Sequence, residues 1–378
     1  MKKLDFVFFD AGGGHRTAAN ALKEVIEGQN RNWKIRMVNL QEVLDSLDLF
    51  RKVTGVRGED VYNKMLKRGW TYRSDYLLPL MHGLIRAYHK EQRQKLTEFW
   101  TGNQPDLVVS LIPNFNRALF EGLESASPAT PLVTILTDLA DLPPHFWMEE
   151  QDQYLICGTE KAIEQARQLG YPPQKLFLAS GMILRPLFYK EFVGDRGEER
   201  ERLGLRAETP TGLILFGGQG SSVMLDIAER LQQTRLDVQL IFLCGHNEKL
   251  AGELREMKSR LPFGVVGFTN EVPYYMRLSD FFIGKPGPGS ISEALAMKLP
   301  VLVARNSFTL PQERYNAEWV EEKGVGMVLP SFRQITAAVD ELLEADVLAR
   351  YQATAAAIKN RAVFEIPDIL ARILNGAK

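Results

Sequence analysis

The sequence predicts an α/β protein with two doubly wound domains, each a parallel sheet with helices on both faces. The chain has 378 residues, a length that suits two domains. Short apolar runs alternate with helical stretches along it. Both halves also open in the same way, with an apolar strand, a glycine turn and a helix. We therefore expect two domains that face each other across a cleft.

The composition is that of a soluble globular protein, with 45% hydrophobic and 25% charged residues. The formal net charge is −1, so nucleic acid is not expected as a partner. Cys157 and Cys244 both end apolar runs, which predicts buried free thiols in a reducing compartment. The N-terminal residues are expected to form a strand and not a signal peptide. No run reaches the roughly 18 apolar residues that cross a bilayer, so any membrane contact is expected to be peripheral.

The first domain opens with an apolar run at 4–9, followed by a triple-glycine turn and a helix that begins near His15. The turn is not the dinucleotide fingerprint, because Thr17 occupies the last position of that motif. Gly13 and Gly14 nevertheless allow the backbone to approach a ligand closely. With an unperturbed pKa of about 6.5, His15 suits a general base near neutral pH. The alternative is a solvated histidine at a helix start.

Four further apolar runs continue the first domain, at 106–112, 131–136, 153–157 and 176–180. Asp138 follows the second of these runs, at the edge where open α/β sheets bind ligands. Its carboxylate could orient or assist a base, or it could equally cap the next turn.

Residues 62–95 differ from the rest of the first domain, because they are basic and rich in aromatic and apolar side chains. Such a segment can lie on an anionic membrane surface, and it can also form ordinary amphipathic helices. The residues expected to touch a membrane are Lys64, Lys67, Arg68, Trp70 and Arg73.

The second domain follows a linker at 181–188 and repeats the opening of the first. An apolar run at 212–216 leads into the turn GGQGSS at 217–222 and then a helix. Five more apolar runs follow, at 238–245, 264–268, 280–284, 300–304 and 326–329.

The pattern at 281–306 predicts a strand, a glycine-rich turn, a helix and a second strand, and we interpret the rest of the chain as organised around this stretch. Gly287 and Gly289 lie in the turn, and Ser290 is expected to cap the helix. A helix N-terminus behind such a turn suits a phosphate. Glu293, expected in the first helical turn, could accept hydrogen bonds from a ribose. The alternative is a βαβ crossover whose glycines only make the turn.

Polar residues just after this stretch also share one side of a helix. Gln312, Glu313 and Asn316 are three or four positions apart, a spacing that places side chains on the same helix face. They are expected to face one pocket.

These motifs together resemble glycosyltransferases of the GT-B fold. The nearest resemblance is to the family of plant monogalactosyldiacylglycerol synthases and bacterial processive diacylglycerol glucosyltransferases, and more distantly to the peptidoglycan N-acetylglucosaminyltransferase. It covers almost the whole chain. The motifs that carry it are GGGHRTAA (12–19), PDLVVS (105–110), TDL (137–139), GGQG (217–220), CGHNEKL (244–250), GF (267–268), GKPGPGSISEALAMKLP (284–300) and QERYN (312–316).

The resemblance implies inverting transfer from a UDP-sugar, with no cofactor and no metal. His15 then matches the base that deprotonates the acceptor, with Asp138 as the other candidate. The segment from Gly287 to Ser290, with Gly218 and Gly220, matches the diphosphate cradle.

The resemblance also implies donor contacts outside the diphosphate cradle. Glu293 matches the glutamate that binds the ribose hydroxyls. Gln312 and Glu313 match the pair that reads the sugar hydroxyls, with Asn316 nearby. The backbone of Phe268 matches the group that meets uracil.

Three further implications concern the linker and the domains. Arg185, in the linker, matches an arginine that approaches the donor. The implied division is an acceptor-binding domain at 1–185 and a UDP-sugar-binding domain at 186–357. A C-terminal helix at about 358–378 is expected to pack back on the first domain.

The chain departs from the family pattern at two places. Ile112-Pro113 stands where plant synthases have His-Pro, and GGQGSS stands where they have GGGEG. The expected function is transfer of a hexose to a lipid hydroxyl such as that of diacylglycerol. The expected location is the cytoplasm, peripheral on the inner face of the cell membrane. The alternatives are an enzyme like UDP-N-acetylglucosamine 2-epimerase and a non-catalytic UDP-sugar-binding subunit that recruits a partner.

Overall fold

The computed structural model describes residues 1–10, 14–44, 83, 85–307 and 309–376. These residues divide into two compact units. The first runs up to Pro186 and resumes at Asn360, and the second is Leu187–Lys359. Several sites predicted from the sequence lie outside the described residues: Gly13, Lys64, Lys67, Arg68, Trp70 and Arg73.

The first unit is built on six parallel strands in the order β2-β1-β3-β4-β5-β6. The strands β3 and β4 are buried along their whole length, as expected where helices cover both faces of a sheet. The strands are β1 Lys2–Phe8, β2 Trp33–Asn39, β3 Leu107–Ser110, β4 Leu132–Ile135, β5 Tyr154–Cys157 and β6 Leu176–Leu178. The helices among them are α1 Gly14–Gly28, α2 Leu40–Leu44, α3 His89–Asn103, α4 Asn116–Ala126 and α5 Glu160–Gln168.

The edge strand β2 was not predicted from the sequence. Its charged Lys34 and Arg36 interrupt the apolar pattern, and only Val38 in it is fully buried. Arg36 donates through Nε to the buried carboxylate of Asp5 on β1, at 2.8 Å. The indole of Trp100 donates to the same carboxylate, at 3.1 Å. The buried carboxylate of Asp5 on β1 therefore explains why β2 pairs with β1 although β2 contains charged residues.

The second unit repeats this plan with six parallel strands in the order β12-β11-β10-β7-β8-β9. The strands are β7 Thr211–Leu215, β8 Gln239–Leu243, β9 Phe263–Val266, β10 Phe281–Gly284, β11 Val301–Ala304 and β12 Gly326–Leu329. The helices are α6 Arg196–Arg202, α7 Val223–Gln232, α8 Glu248–Glu256, α9 Val272–Arg277, α10 Pro288–Ala296, α11 Arg314–Lys323, α12 Ile335–Leu342 and α13 Ala345–Ala357. The predicted architecture of two doubly wound parallel sheets is confirmed.

The last helix, α14 Ala362–Leu374, belongs to the first unit and packs on α1. Arg31 donates to the Pro367 carbonyl at 3.2 Å and pairs with Asp368. Just before α14, the Asn360 side chain donates to the Met182 carbonyl at 2.9 Å. The segment at which the chain leaves the first unit, near Met182, is therefore hydrogen-bonded to the segment at which it returns, at Asn360.

Two expectations from composition concern residues that the structure describes. Cys157 and Cys244 are buried free thiols, as predicted. Among the described residues, no helix is both long enough and apolar enough to cross a membrane.

Candidate active site

In both sheets the strand order reverses at the strand that opens the unit, and the candidate residues lie at these reversals. In the first sheet, β1 lies between β2 and β3. In the second, β7 lies between β8 and β10. The crevice beyond the carboxyl ends of the strands at such a point is where open α/β sheets bind ligands.

His15 lies in the first turn of α1, where loops from three adjacent strands meet. Its ring donates to the backbone carbonyl of Leu111, which follows β3. Its Nδ1 is 3.3 Å from the hydroxyl of Thr137, which follows β4. The ring is therefore held between two loops at the reversal point, unlike a solvated histidine at a helix start.

Burial controls the charge of His15. It lowers the pKa of the imidazole from 6.5 to about 4, an effect that the bond to Leu111 opposes. The ring is accordingly neutral at pH 7. A neutral imidazole has a nitrogen lone pair, so His15 can accept a proton under physiological conditions.

Asp138 is buried close to His15 and is bonded to Trp147. Its Oδ2 accepts a hydrogen bond from the indole Nε1 at 2.8 Å. Trp147 is 1% exposed, and its ring centroid is 6.0 Å from that of His15. Trp147 thus connects the two candidate bases through packing on one side and a hydrogen bond on the other. Sequence reasoning did not identify Trp147, because its role depends on tertiary contacts.

Two buried polar residues hold the loop that carries Trp147. The carboxylate of Asp141 accepts the backbone N–H groups of His145, at 2.9 Å, and of Trp147, at 2.6 Å. Burial raises the pKa of Asp141, and these bonds oppose that rise. The amide of Asn116 donates to the Trp147 carbonyl at 3.0 Å. The backbone N–H and C=O groups of Trp147 are therefore both hydrogen-bonded to buried side chains, which fixes the position of its indole beside His15.

In the second unit, the two glycine turns lie side by side because β7 and β10 are paired. The turn after β7 also packs tightly against the loop after β8. The carbonyl of Gly218 accepts the backbone N–H of His246 at 2.9 Å. Gly220 has a φ of +59°, and a Cβ there would lie 2.8 Å from the Cys244 carbonyl. Glycine is thus required at 220 by both conformation and space.

Gly218 and Gly289 are a different case. Neither has a left-handed φ, and a Cβ built on either would meet no described atom within 4 Å. Both residues are exposed. Neither packing nor backbone conformation within the described structure requires glycine at these two positions. Gly14, which begins α1, has the same property.

The helix behind the second turn begins earlier than predicted. α10 starts at Pro288, with Gly287 as its N-cap residue, so the expectation that Ser290 is the cap is wrong. Proline is favoured at the first helical position, where its missing N–H has no cost. Glu293 consequently lies in the second turn, and placing it in the first was also wrong. Ser290 remains in the first turn, close to the helix N-terminus.

The residues near 312 are placed around the turn that precedes α10. Asn316 is fully buried, and its side chain donates to the Pro286 carbonyl at 2.8 Å. Glu313 is also buried and pairs with Lys285, with 2.6 Å between Nζ and Oε1. Among the described residues, the buried Oε1 of Gln312 has no hydrogen-bond partner. A buried amide oxygen without a partner is unusual in a folded protein.

Two of the implied donor residues, Phe268 and Arg185, are not themselves part of the glycine turns. Phe268 follows β9, is 54% exposed, and stacks on His246 with 4.0 Å between ring centroids and 15° between ring planes. Sequence reasoning did not identify His246. Arg185 is half-buried and belongs to the first unit, one residue before the chain passes from that unit to the second. The other donor candidates lie in the second unit. Over the described ranges, no group of three or more His, Cys, Asp and Glu side chains is arranged to hold a metal ion.

Comparison with known proteins gives matches over both units. Residues 15–180 match the model of the monogalactosyldiacylglycerol (MGDG) synthase family, and residues 213–373 match that of the glycosyltransferase family 28 C-terminal domain. The chain is 26% identical to the chloroplastic monogalactosyldiacylglycerol synthase of Spinacia oleracea over 368 residues. That alignment covers 90% of this chain and 66% of the spinach protein, slightly under two thirds of its length.

Solved structures share the fold at lower identity. MurG from Acinetobacter baumannii aligns with a TM-score of 0.64 and 13% identity, covering 98% of this chain and all of MurG. The S. aureus MnaA–UDP structure aligns with a TM-score of 0.61 and 16% identity, covering 99% of this chain and 97% of that one. The predicted GT-B fold is confirmed by these likenesses. The chain therefore has the GT-B fold and is similar, over both units, to glycosyltransferases of the group that includes the monogalactosyldiacylglycerol synthases.

Proposed function

We propose that this protein is an inverting glycosyltransferase that moves a hexose from a UDP-sugar to a lipid hydroxyl such as that of diacylglycerol. The observation that carries the proposal is the half-buried, neutral His15 at the strand reversal of the first sheet. The family matches support the reaction class, and the name of the spinach relative supports a sugar-bearing diacylglycerol as the product.

In the proposed reaction, His15 accepts the proton of the acceptor hydroxyl. The acceptor oxygen attacks the anomeric carbon of the sugar as the bond from that carbon to the β-phosphate oxygen breaks. The electron pair of that bond leaves with UDP, and direct displacement inverts the anomeric configuration. General-base catalysis of this kind contributes about 10²–10⁴-fold to a rate.

We assign the donor to the second unit. The two adjacent glycine turns and the N-terminus of α10 offer backbone N–H groups to a diphosphate. The exposed, stacked pair of His246 and Phe268 offers an aromatic surface beside these turns. The complex of MnaA with UDP supports uridine as the nucleoside.

The remaining parts of the proposal concern the metal requirement, the role of Asp138 and the location of the protein in the cell. The reaction needs no metal ion, because helix N-termini and side-chain donors stabilise the departing UDP. Asp138 assists His15 through Trp147. The protein acts in the cytoplasm, on the inner face of the cell membrane, where an anionic lipid surface presents the acceptor.

Calorimetric titration with UDP, ADP and dTDP in EDTA tests the donor assignment. We expect UDP to bind selectively without metal. Each UDP-sugar is then incubated with vesicles containing diacylglycerol, and the product is identified by mass and by its anomeric configuration. The expected result is one lipid product of inverted configuration.

Three outcomes contradict the proposal. If UDP does not bind, or binds no better than ADP and dTDP, the donor assignment is wrong. If a UDP-sugar is converted to its epimer when no acceptor is present, the protein is an epimerase. UDP binding with neither reaction indicates a recruiting subunit.

Gly218 and Gly220 provide a matched pair of alanine variants for the donor assignment. Gly218→Ala is expected to lower UDP affinity by roughly tenfold, about 1.4 kcal/mol, with the melting temperature unchanged. Gly220→Ala is expected to destabilise the second unit by at least about 1–2 kcal/mol, because alanine is strained at a φ of +59°. Calorimetry and thermal unfolding measure the two effects. Unchanged UDP affinity in Gly218→Ala would remove this residue from the donor site.

A further inference from the structure

We propose that Lys285 is the side-chain cation that binds the diphosphate of the donor, and that Glu313 positions it. Sequence reasoning did not single out Lys285, and this inference rests on the proposed function. It adds a cation to the diphosphate cradle, which otherwise consists of backbone N–H groups and the hydroxyl of Ser290.

Lys285 lies between the two glycine turns. It directly follows β10, whose last residue pairs with the last residue of β7. A Cβ built on Gly217 would lie 3.9 Å from the Cε of Lys285. A Cβ built on Gly287 would lie 3.5 Å from the same carbon and 3.8 Å from Nζ. The end of the lysine side chain therefore borders both turns that we assign to the diphosphate.

Glu313 fixes the ammonium group in this place. Glu313 is buried, and its Oε1 is 2.6 Å from Nζ of Lys285. The Lys285 side chain is 36% exposed and that of Glu313 is 10% exposed, so the lysine is the more accessible member of the pair. An ammonium group has three N–H donors, so its pairing with Glu313 does not prevent it from also donating to a phosphate oxygen.

The charge that develops on UDP as it leaves the sugar explains why a cation is expected at this site. As the bond to the anomeric carbon breaks, negative charge develops on the β-phosphate oxygen. Charge-assisted hydrogen bonds from an ammonium are stronger than neutral ones, so Lys285 stabilises the leaving group more than the bound substrate. With its Oε1 bonded to Lys285, Glu313 serves as a positioning residue.

Lys285→Met tests the role of the cation, and Lys323→Met is its control, since Lys323 is an exposed lysine at the end of α11. Binding of uridine, UMP and UDP is measured by calorimetry for each protein. Lys285→Met is expected to weaken UDP binding by at least tenfold, to leave uridine binding unchanged, and to lower kcat for transfer. Lys323→Met is expected to match the wild type throughout.

Two further variants separate charge from structure. Lys285→Arg keeps the charge and is expected to stay within a few-fold of the wild type for UDP. Glu313→Gln is expected to lower kcat and UDP affinity with uridine affinity intact, whereas a merely structural role would lower both affinities. If the wild type binds UDP and Lys285→Met binds it equally well, the inference is wrong and the proposed function stands. If the wild type does not bind UDP, both are wrong.

Discussion

Replacing His15 with alanine is expected to lower kcat for sugar transfer by about 10²–10⁴-fold, the usual contribution of a general base. The variant keeps its fold, because His15 is a partly exposed residue in the first turn of α1. UDP affinity is expected to stay at the wild-type value, since the donor residues belong to the other unit. Steady-state rates and UDP calorimetry measure both quantities.

His89→Ala is the matched control for His15. His89 lies on α3 and is bonded to Glu121, so its removal is expected to leave transfer unchanged. The wild-type pH profile gives an independent check. Because burial lowers the pKa of His15 to about 4, the acid limb of kcat/KM is expected near pH 4. Transfer that survives His15→Ala, or an acid limb near the ordinary value of about 6.5, would contradict the assignment.

Replacing Trp147 with alanine is expected to lower the free energy of unfolding of the first unit by about 3–5 kcal/mol. The indole is 1% exposed, so its removal opens a cavity beside His15. It also removes the hydrogen bond to the buried carboxylate of Asp138. Transfer is expected to fall as well, because the ring that packs against the base is gone. Chemical denaturation and initial rates measure the two effects.

Trp147→Phe separates the packing of the ring from its hydrogen bond. It keeps most of the buried ring and removes the Nε1–H donor, so we expect a smaller loss of about 1–3 kcal/mol. If Trp147→Ala lowered the free energy of unfolding by less than about 1 kcal/mol, the packing of the indole would not stabilise the site around His15.

Much of the fold follows from local pattern, and the exceptions have physical causes. The apolar runs predicted eleven of the twelve strands found among the described residues, because buried parallel strands have continuous apolar sequences. The missing strand, β2, contains Lys34 and Arg36, and its pairing depends on the buried Asp5 of a distant segment. No local pattern shows such a partner.

The site residues divide in the same way. Motif spacing predicted His15 and the glycine turns, since close backbone approach needs glycine at particular positions. It misplaced the start of α10, although the preference of proline for the first helical position favours Pro288 over Ser290. The pairing of Lys285 with Glu313 joins residues 28 positions apart and became visible only in three dimensions.

The return of the chain to the first unit at Asn360 has a consequence for synthesis. The apolar face of α14 buries residues such as Val363, Ile366 and Leu370, and α14 packs on α1 near the other end of the chain. The helix α14 follows Leu187–Lys359 in the sequence, so the first unit is completed only by residues that are made after the whole of the second unit. A chain truncated before residue 360 still contains all of Leu187–Lys359, whereas its first unit lacks α14 and leaves the α1 surface uncovered.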